Sequence, residues 1–313
     1  MPPLEWSIVQ STLLSLVVPT FGVAAFVMAL ACWLIRSERY RSAAASIALI
    51  AGLSAGLGMQ NMKGELIPFL AVQRVNPTID QEEIPVATKS SSSWEFETGW
   101  RSLFAVPVAA VLAEIAIELT LLQHSRFRSA AIASGLMAMI CAIGLTPWDL
   151  SSSRPFVCGL MAMVILFNWT TLRLVGQMHF GPCIPLIMAI VWGGCATVVV
   201  VLSHSARFAD LGILISCALS GVGLVAIIKW QRLKTVFAGP AAFIPGLMLA
   251  DRLNTYSEIP VASFVLVALA PGLFFGLHLA KVRTWFEARP IVLAIAFLIP
   301  CVVAAGLAIR AEF

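Results

Sequence analysis

Residues 11–41 read STLLSLVVPTFGVAAFVMALACWLIRSERYR, and the placement of charge in that stretch decides the fold. Ser11 to Ile35 carries no charged side chain, and Arg36, Arg39 and Arg41 follow at once. A hydrocarbon core about 30 Å thick is crossed by about 20 helical residues, because each buried amide must find its partner within its own segment. The uncharged run is long enough to cross, and the arginines behind it mark a cytoplasmic end. Working outward, the same pattern recurs to the C-terminus. Ten stretches read as spans, over 11–35, 43–60, 102–123, 129–147, 155–175, 181–203, 209–228, 235–250, 260–280 and 290–309. The second and eighth are short and rich in Gly or Pro. The predicted fold class is all-α, a polytopic transmembrane bundle of about ten spans forming one integral membrane domain over 1–313.

Composition points the same way. With 60% apolar and 12% charged residues, and a mean hydropathy of +0.94, the chain departs from soluble proteins, in which about a quarter of residues are charged. The implied partner is the lipid bilayer. The formal net charge of +4 does not indicate nucleic acid, because twelve of the twenty Lys and Arg fall in alternate gaps between spans, where topology explains them.

Those twelve are Arg36, Arg39, Arg41, Arg126, Arg128, Arg173, Lys229, Arg232, Lys234, Lys281, Arg283 and Arg289. The other gaps hold eight, half of them in or beside the long second gap, and the short gaps set Asp149, Asp210, Asp251 and Glu258 against theirs. Positive charge stays on the cytoplasmic side during insertion, so both termini are predicted on the outer, periplasmic side of a bacterial cytoplasmic membrane. The N-terminal MPPLEWS has Glu5 and no basic residue, unlike the positive start of a secretory signal, and is expected to remain on the mature protein.

The one long gap, residues 61–100 between spans two and three, carries Pro68, Pro77 and Pro85, an acidic patch at Asp80, Glu82 and Glu83, and four consecutive serines from Ser90. It reads as an outer-face loop with a short interfacial helix near Leu66 to Val72, and as a contact surface for a membrane-protein partner. Trp94, Phe96 and Trp100 read as aromatic anchors. The seven cysteines form no CxxC and have no His at ligand spacing, so they read as small packing residues, with no metal or cofactor expected.

The candidate functional residues lie inside the spans. Glu114 and Glu118 are acidic residues in the interior of the third apolar run, where an ionisable group costs several kcal/mol and usually faces protein. Their i, i+4 spacing puts both on one helix face, about one turn apart, as a proton or cation relay would need. A structural alternative is equally concrete. Counted from Arg101 and Arg154, Glu114 and Asn168 lie 13 and 14 residues deep, and Glu118 and Arg173 lie 17 and 19. Bridges Glu114 to Asn168 and Glu118 to Arg173 between spans three and five would satisfy the acids as structural links.

Other features are less specific. Pro240 and Pro245 in FAGPAAFIPGLMLADR predict a kinked or broken eighth span, which lines substrate sites in some transporters and is an inert bend elsewhere. Gly193 and Gly194 read as close-packing positions. Phe274 and His278 match one piece, FxxxH, of membrane-embedded proteases, but the EExxxR piece is missing, and His278 reads as an interfacial side chain. No phosphate-binding, serine-nucleophile or zinc-helix signature occurs.

From about Val198 to Ala270, Ser203 to Ala206 and the word Tyr256-Ser257-Glu258-Ile259-Pro260 stand in the order of SGSA-like and YxELP-like words. In this the chain resembles a group of uncharacterised bacterial polytopic inner-membrane proteins. The resemblance covers about a quarter of the chain and implies a membrane protein without an assigned activity or site. The function expected from the residues is a transporter or permease for a small solute or cation, with Glu114 and Glu118 as the coupling pair. The alternative is a non-catalytic component of a membrane complex, and a membrane-embedded enzyme stands third.

Overall fold

The computed structural model describes residues 13–62, 96–121, 127–146, 153–178, 183–229, 235–254 and 258–312. Among the described residues all regular structure is helical. Helix α1 (Val18–Leu34) is entered through a π turn at Leu13–Val17, and α2 is Glu38–Met62. Helix α3 (Phe96–Ala116) continues into a π turn at Ile117–Leu121. There follow α4 (Phe127–Leu145), α5 (Arg154–Gln177), α6 (Cys183–Leu202), α7 (Ala206–Ile228) and α8 (Ala238–Asn254). The ninth apolar run divides into α9 (Val261–Leu269) and a 3-10 helix at Gly272–His278. A short α10 (Ala280–Glu287) and a long α11 (Pro290–Glu312) complete the order.

Nine of the ten predicted runs each fall on one of these helices, with ends displaced by a few residues, and the ninth falls on α9 and the 3-10 helix together. Among the described residues six helical stretches are long and apolar enough to cross a membrane: Tyr40–Met59, Arg154–Gln177, Ile184–Leu202, Phe208–Ile228, Val261–His278 and Pro290–Glu312. Val18–Leu34 and Ser129–Leu145 are apolar but shorter. The chain is a multi-pass helical membrane protein. Its outer surface says the same: α4 turns Ile132, Leu136 and Ile140 outward, and α11 turns Ile291, Ile295, Ile299 and Val302 outward. Stripes of that size are solvated by acyl chains and would associate in water. The long gap is shorter than 61–100, because α2 runs to Met62 and α3 begins at Phe96; residues 63–95, with the acidic patch, the serine run and Trp94, lie outside the described residues.

Helix α8 is the centre of the bundle. It packs against α3, α4, α5, α6, α7 and α9, and Ala241, Phe243, Ile244, Leu247 and Met248 are buried along it. Of the kink or break expected of the eighth span at its prolines, the break does not occur: α8 is continuous from Ala238 to Asn254. Pro240 falls in the first turn, where an N–H has no intrahelical acceptor to lose, and the packing around Pro245 holds the helix across its one missing bond. Around this centre α1, α2 and α7 form a tight trio, α6 packs on α7, and α11 lies on α6 and α9. Close approach is set by small residues. A Cβ at Gly52 would stand 2.7 Å from both the Thr20 carbonyl oxygen and the Ala24 Cβ, so α1 and α2 meet backbone to backbone. One at Gly193 would stand 2.6 Å from Ser216 Oγ, whereas Gly194 has nothing within 4 Å and is not a packing position.

Candidate functional site

Glu114, on the last turns of α3, is fully buried, and Glu118 follows it in the π turn. An extra residue in that turn shifts the i, i+4 pair away from ideal α spacing, and such bulges are frequent at functional positions. Both carboxylates meet one guanidinium from α5. Arg173 Nη2 donates to Glu118 Oε2 at 2.7 Å, and Arg173 Nε stands 3.4 Å from Glu114 Oε1. The depth-matched pairing of Glu118 with Arg173 is therefore present, and the same arginine also serves Glu114. Trp169, one turn earlier on α5 and buried, borders Glu114. Two carboxylates thus meet at one guanidinium among the described residues.

Asn168 is elsewhere. The expected bridge to Glu114 is replaced by a clamp on the divided ninth run: Asn168 Nδ2 donates to the Ala268 carbonyl at 2.7 Å, and Asn168 Oδ1 accepts from the Gly272 N–H at 2.7 Å. In an unbroken helix the Gly272 N–H would bond to that same Ala268 carbonyl. The Asn168 amide sits inside the opened turn and completes both halves of the broken bond. The break itself comes from Pro271, which has no N–H to offer the Val267 carbonyl four residues back. That carbonyl accepts the Ala270 N–H at 3.3 Å instead, and Trp192 of α6 adds a shorter bond, donating its indole N–H to Val267 O at 2.6 Å. Backbone exposed at membrane depth must be satisfied by neighbours, and two side chains do so here.

The divided run walls a cavity of about 480 Å³ between α4, α5 and the 3-10 helix. Helix α4 contributes Ala130, Ala131 and Ser134, and α5 contributes Leu166, Phe167, Thr170, Arg173 and Gln177. Phe275 and His278 close it from the 3-10 helix. Phe167, Phe275 and His278 form an aromatic strip with successive ring centroids 4.6 Å apart. His278 thus lines a cavity, a placement that its interfacial reading did not contain. Among the described residues no group of three or more His, Cys, Asp or Glu could hold a metal ion.

Two more carboxylates are buried that the sequence had placed as gap charges. Asp210 lies in α7 and Asp251 in the last turns of α8, both at most 1% exposed. Asp251 Oδ2 accepts from Ser203 Oγ at 2.6 Å. Ser203 opens the α6 to α7 turn, whose His204 takes the left-handed conformation (φ 62) uncommon outside glycine. A hydroxyl cluster joins α2 to the start of α8, with Thr235 Oγ1 donating to the Ser42 carbonyl at 2.7 Å and lying 2.7 Å from Ser46 Oγ. Only the Pro271-Gly272 pair carried a sequence signal for the break; nothing in the sequence marked Ser203 or Thr235 as partners.

No protein-family model, no curated protein and no solved structure matches this chain. The class defined by fold and site is therefore that of a multi-pass helical membrane protein with a buried acidic pair bridged by one arginine.

Proposed function

We propose that the protein is a transporter of the cytoplasmic membrane of a bacterium, in which Glu114 and Glu118 couple solute movement to a proton or cation. The observation that carries this reading is the reach of the cavity. Arg173, which holds both glutamates, is itself part of the cavity wall, so a solute in the cavity lies one side chain from the acidic pair. In this reading all ten helical runs cross the bilayer with both termini outside, and residues 1–313 form one domain. The cavity then opens in the cytoplasmic half, near Lys281 and the ends of α4 and α5. The divided ninth run supports it further, since discontinuous helices border solute sites in several transporter architectures.

A second reading is favoured by one observation. Glu114 has no exposed surface, as a structural ion pair in a non-catalytic component of a membrane complex would have. In that reading the segment around Asp80 to Glu83 is the contact for a partner.

A hydrophobic carbodiimide separates the two, because it modifies protonated carboxyls that it can reach within the membrane. The transporter reading predicts a single adduct on Glu118, found by mass spectrometry, absent in Glu118→Gln, and suppressed by sodium if the coupling ion is a cation instead of a proton. A protein that stays unmodified while folded, at every pH tried, has a sealed structural pair, and the coupling reading fails.

A further inference from the structure

We propose that α10 and the surface beside it bind an anionic phospholipid of the bilayer, with Lys281 and Arg289 holding the phosphate and Trp285 fixing its depth. The proposal goes beyond the transporter reading and does not depend on it. It starts from a concentration of charge: the stretch from Ala280 to Arg289 holds Lys281, Arg283 and Arg289 against the single acid Glu287. Arg283 Nε donates to Glu287 Oε1 at 2.9 Å, one turn along the helix, and those two charges cancel. Lys281 and Arg289 are both exposed, and among the described residues neither has a carboxylate partner. Two cations on the helix are therefore uncompensated.

The geometry sets both cations beside one ring. Lys281, Trp285 and Arg289 recur every fourth residue, and the Arg289 N–H bonds to the Phe286 carbonyl at 2.9 Å, so the turn carries on past the end of the helix. The Arg289 guanidinium lies over the Trp285 ring, 4.8 Å from its centre, which keeps that charge next to an exposed indole. The inner side of the helix is held by protein: Val282 and Phe286 pack on the core, and α10 rests on the 3-10 helix and on α11. The chain on either side of α10 identifies the occupant. Leu273, Phe275 and Leu279 are exposed before it, and Ile291 and Ile295 are exposed after it. A soluble phosphate compound makes no use of such residues, whereas a phospholipid matches both parts, its acyl chains on the apolar flanks and its head on the cations. Trp285 fits the boundary between them, since an indole prefers the level of the headgroups. A zwitterionic head would bring its own ammonium up to Lys281 and Arg289, so the anionic head is favoured. Each cation near an anionic lipid surface strengthens binding about fivefold.

The test uses the full chain in a neutral detergent, titrated with dioleoyl phosphatidylglycerol or dioleoyl phosphatidylcholine and followed by native mass spectrometry. Phosphatidylglycerol is expected to bind about tenfold or more tighter than phosphatidylcholine. Lys281→Gln combined with Arg289→Gln is expected to remove that preference and leave phosphatidylcholine binding as it was. Arg283→Gln combined with Glu287→Gln, which takes away one charge of each sign, is expected to keep it. An unchanged melting temperature in phosphatidylcholine micelles shows that the first double variant is folded; should it unfold, Lys281→Gln alone carries the same test, with about a fivefold loss expected. Equal binding of the two lipids overturns the proposal, as does a preference that survives the loss of both cations or falls equally in the Arg283 and Glu287 variant. Displacement of phosphatidylglycerol by an equal concentration of glycerol 3-phosphate would show a site for a soluble phosphate and also overturns it.

Discussion

At the scale of single residues the molecule turns on side chains that complete bonds which the backbone lacks. Asn168 is the clearest. Its two amide ends reach the two halves of one missing helical hydrogen bond, so its loss strands a carbonyl and an N–H together. Asn168→Ala is therefore expected to destabilise the protein by about 1–3 kcal/mol, read from unfolding in mixed micelles, because a buried group left unpaired keeps its full desolvation cost. Asn168→Asp keeps the acceptor but has no N–H for Ala268, and should cost at least as much. A change below about 0.5 kcal/mol for both would mean that water or slack backbone fills the gap. Arg173 was legible as a partner because depth in a span is simple arithmetic, and the Glu118 contact followed from it. Asn168 was misassigned by the same arithmetic: depth places a residue along the membrane normal and says nothing of which neighbour it faces.

At the scale of elements the same rule about proline, which predicts a kink or a break, fell on one helix that stays continuous and missed one run that divides. It was applied to Pro240 and Pro245, where α8 runs on without a break, Pro240 lying in its first turn. It was not applied to Pro271-Gly272, where the helix ends and a 3-10 segment begins. What decides between them is whether neighbours can satisfy the freed backbone groups in the straight or in the broken form, which is a tertiary property. Trp192 carries the broken form by bonding to Val267 O. A double-mutant cycle follows. Trp192→Phe alone is expected to cost about 1 kcal/mol, and less than half of that in a Pro271→Ala background, where residue 271 regains an N–H for the same carbonyl. Equal costs in both backgrounds would show that the indole acts through packing alone. Helix α10 is a smaller case of the same kind: Arg283 pairs with Glu287 at 2.9 Å and Arg289 lies over the Trp285 ring at 4.8 Å. The sequence read this stretch only as a basic gap, while its aromatic and charged faces suit a helix lying at the membrane interface.

At the scale of the whole molecule, the all-α class, the multi-pass character and, among the described residues, the position of each apolar helical run were readable from where charge interrupts apolar sequence. That legibility has a physical cause, since lipid forces each crossing backbone into a helix of set length. The arrangement of those helices was not readable, because apolar faces toward lipid and toward neighbours use the same residues; the central place of α8 and the cavity beside α5 emerge only from packing. The proposed threading of the chain ties the rest together, for under it Arg173 and the cavity mouth lie in the cytoplasmic half. The direct measurement uses a functional variant without native cysteines and single cysteines at Glu258 and Lys229, both exposed ends of helical runs. A membrane-impermeant maleimide applied to intact cells is predicted to label Glu258→Cys at once and Lys229→Cys only after the cells are opened. Labelling of Lys229→Cys in intact cells, with Glu258→Cys protected, would contradict it.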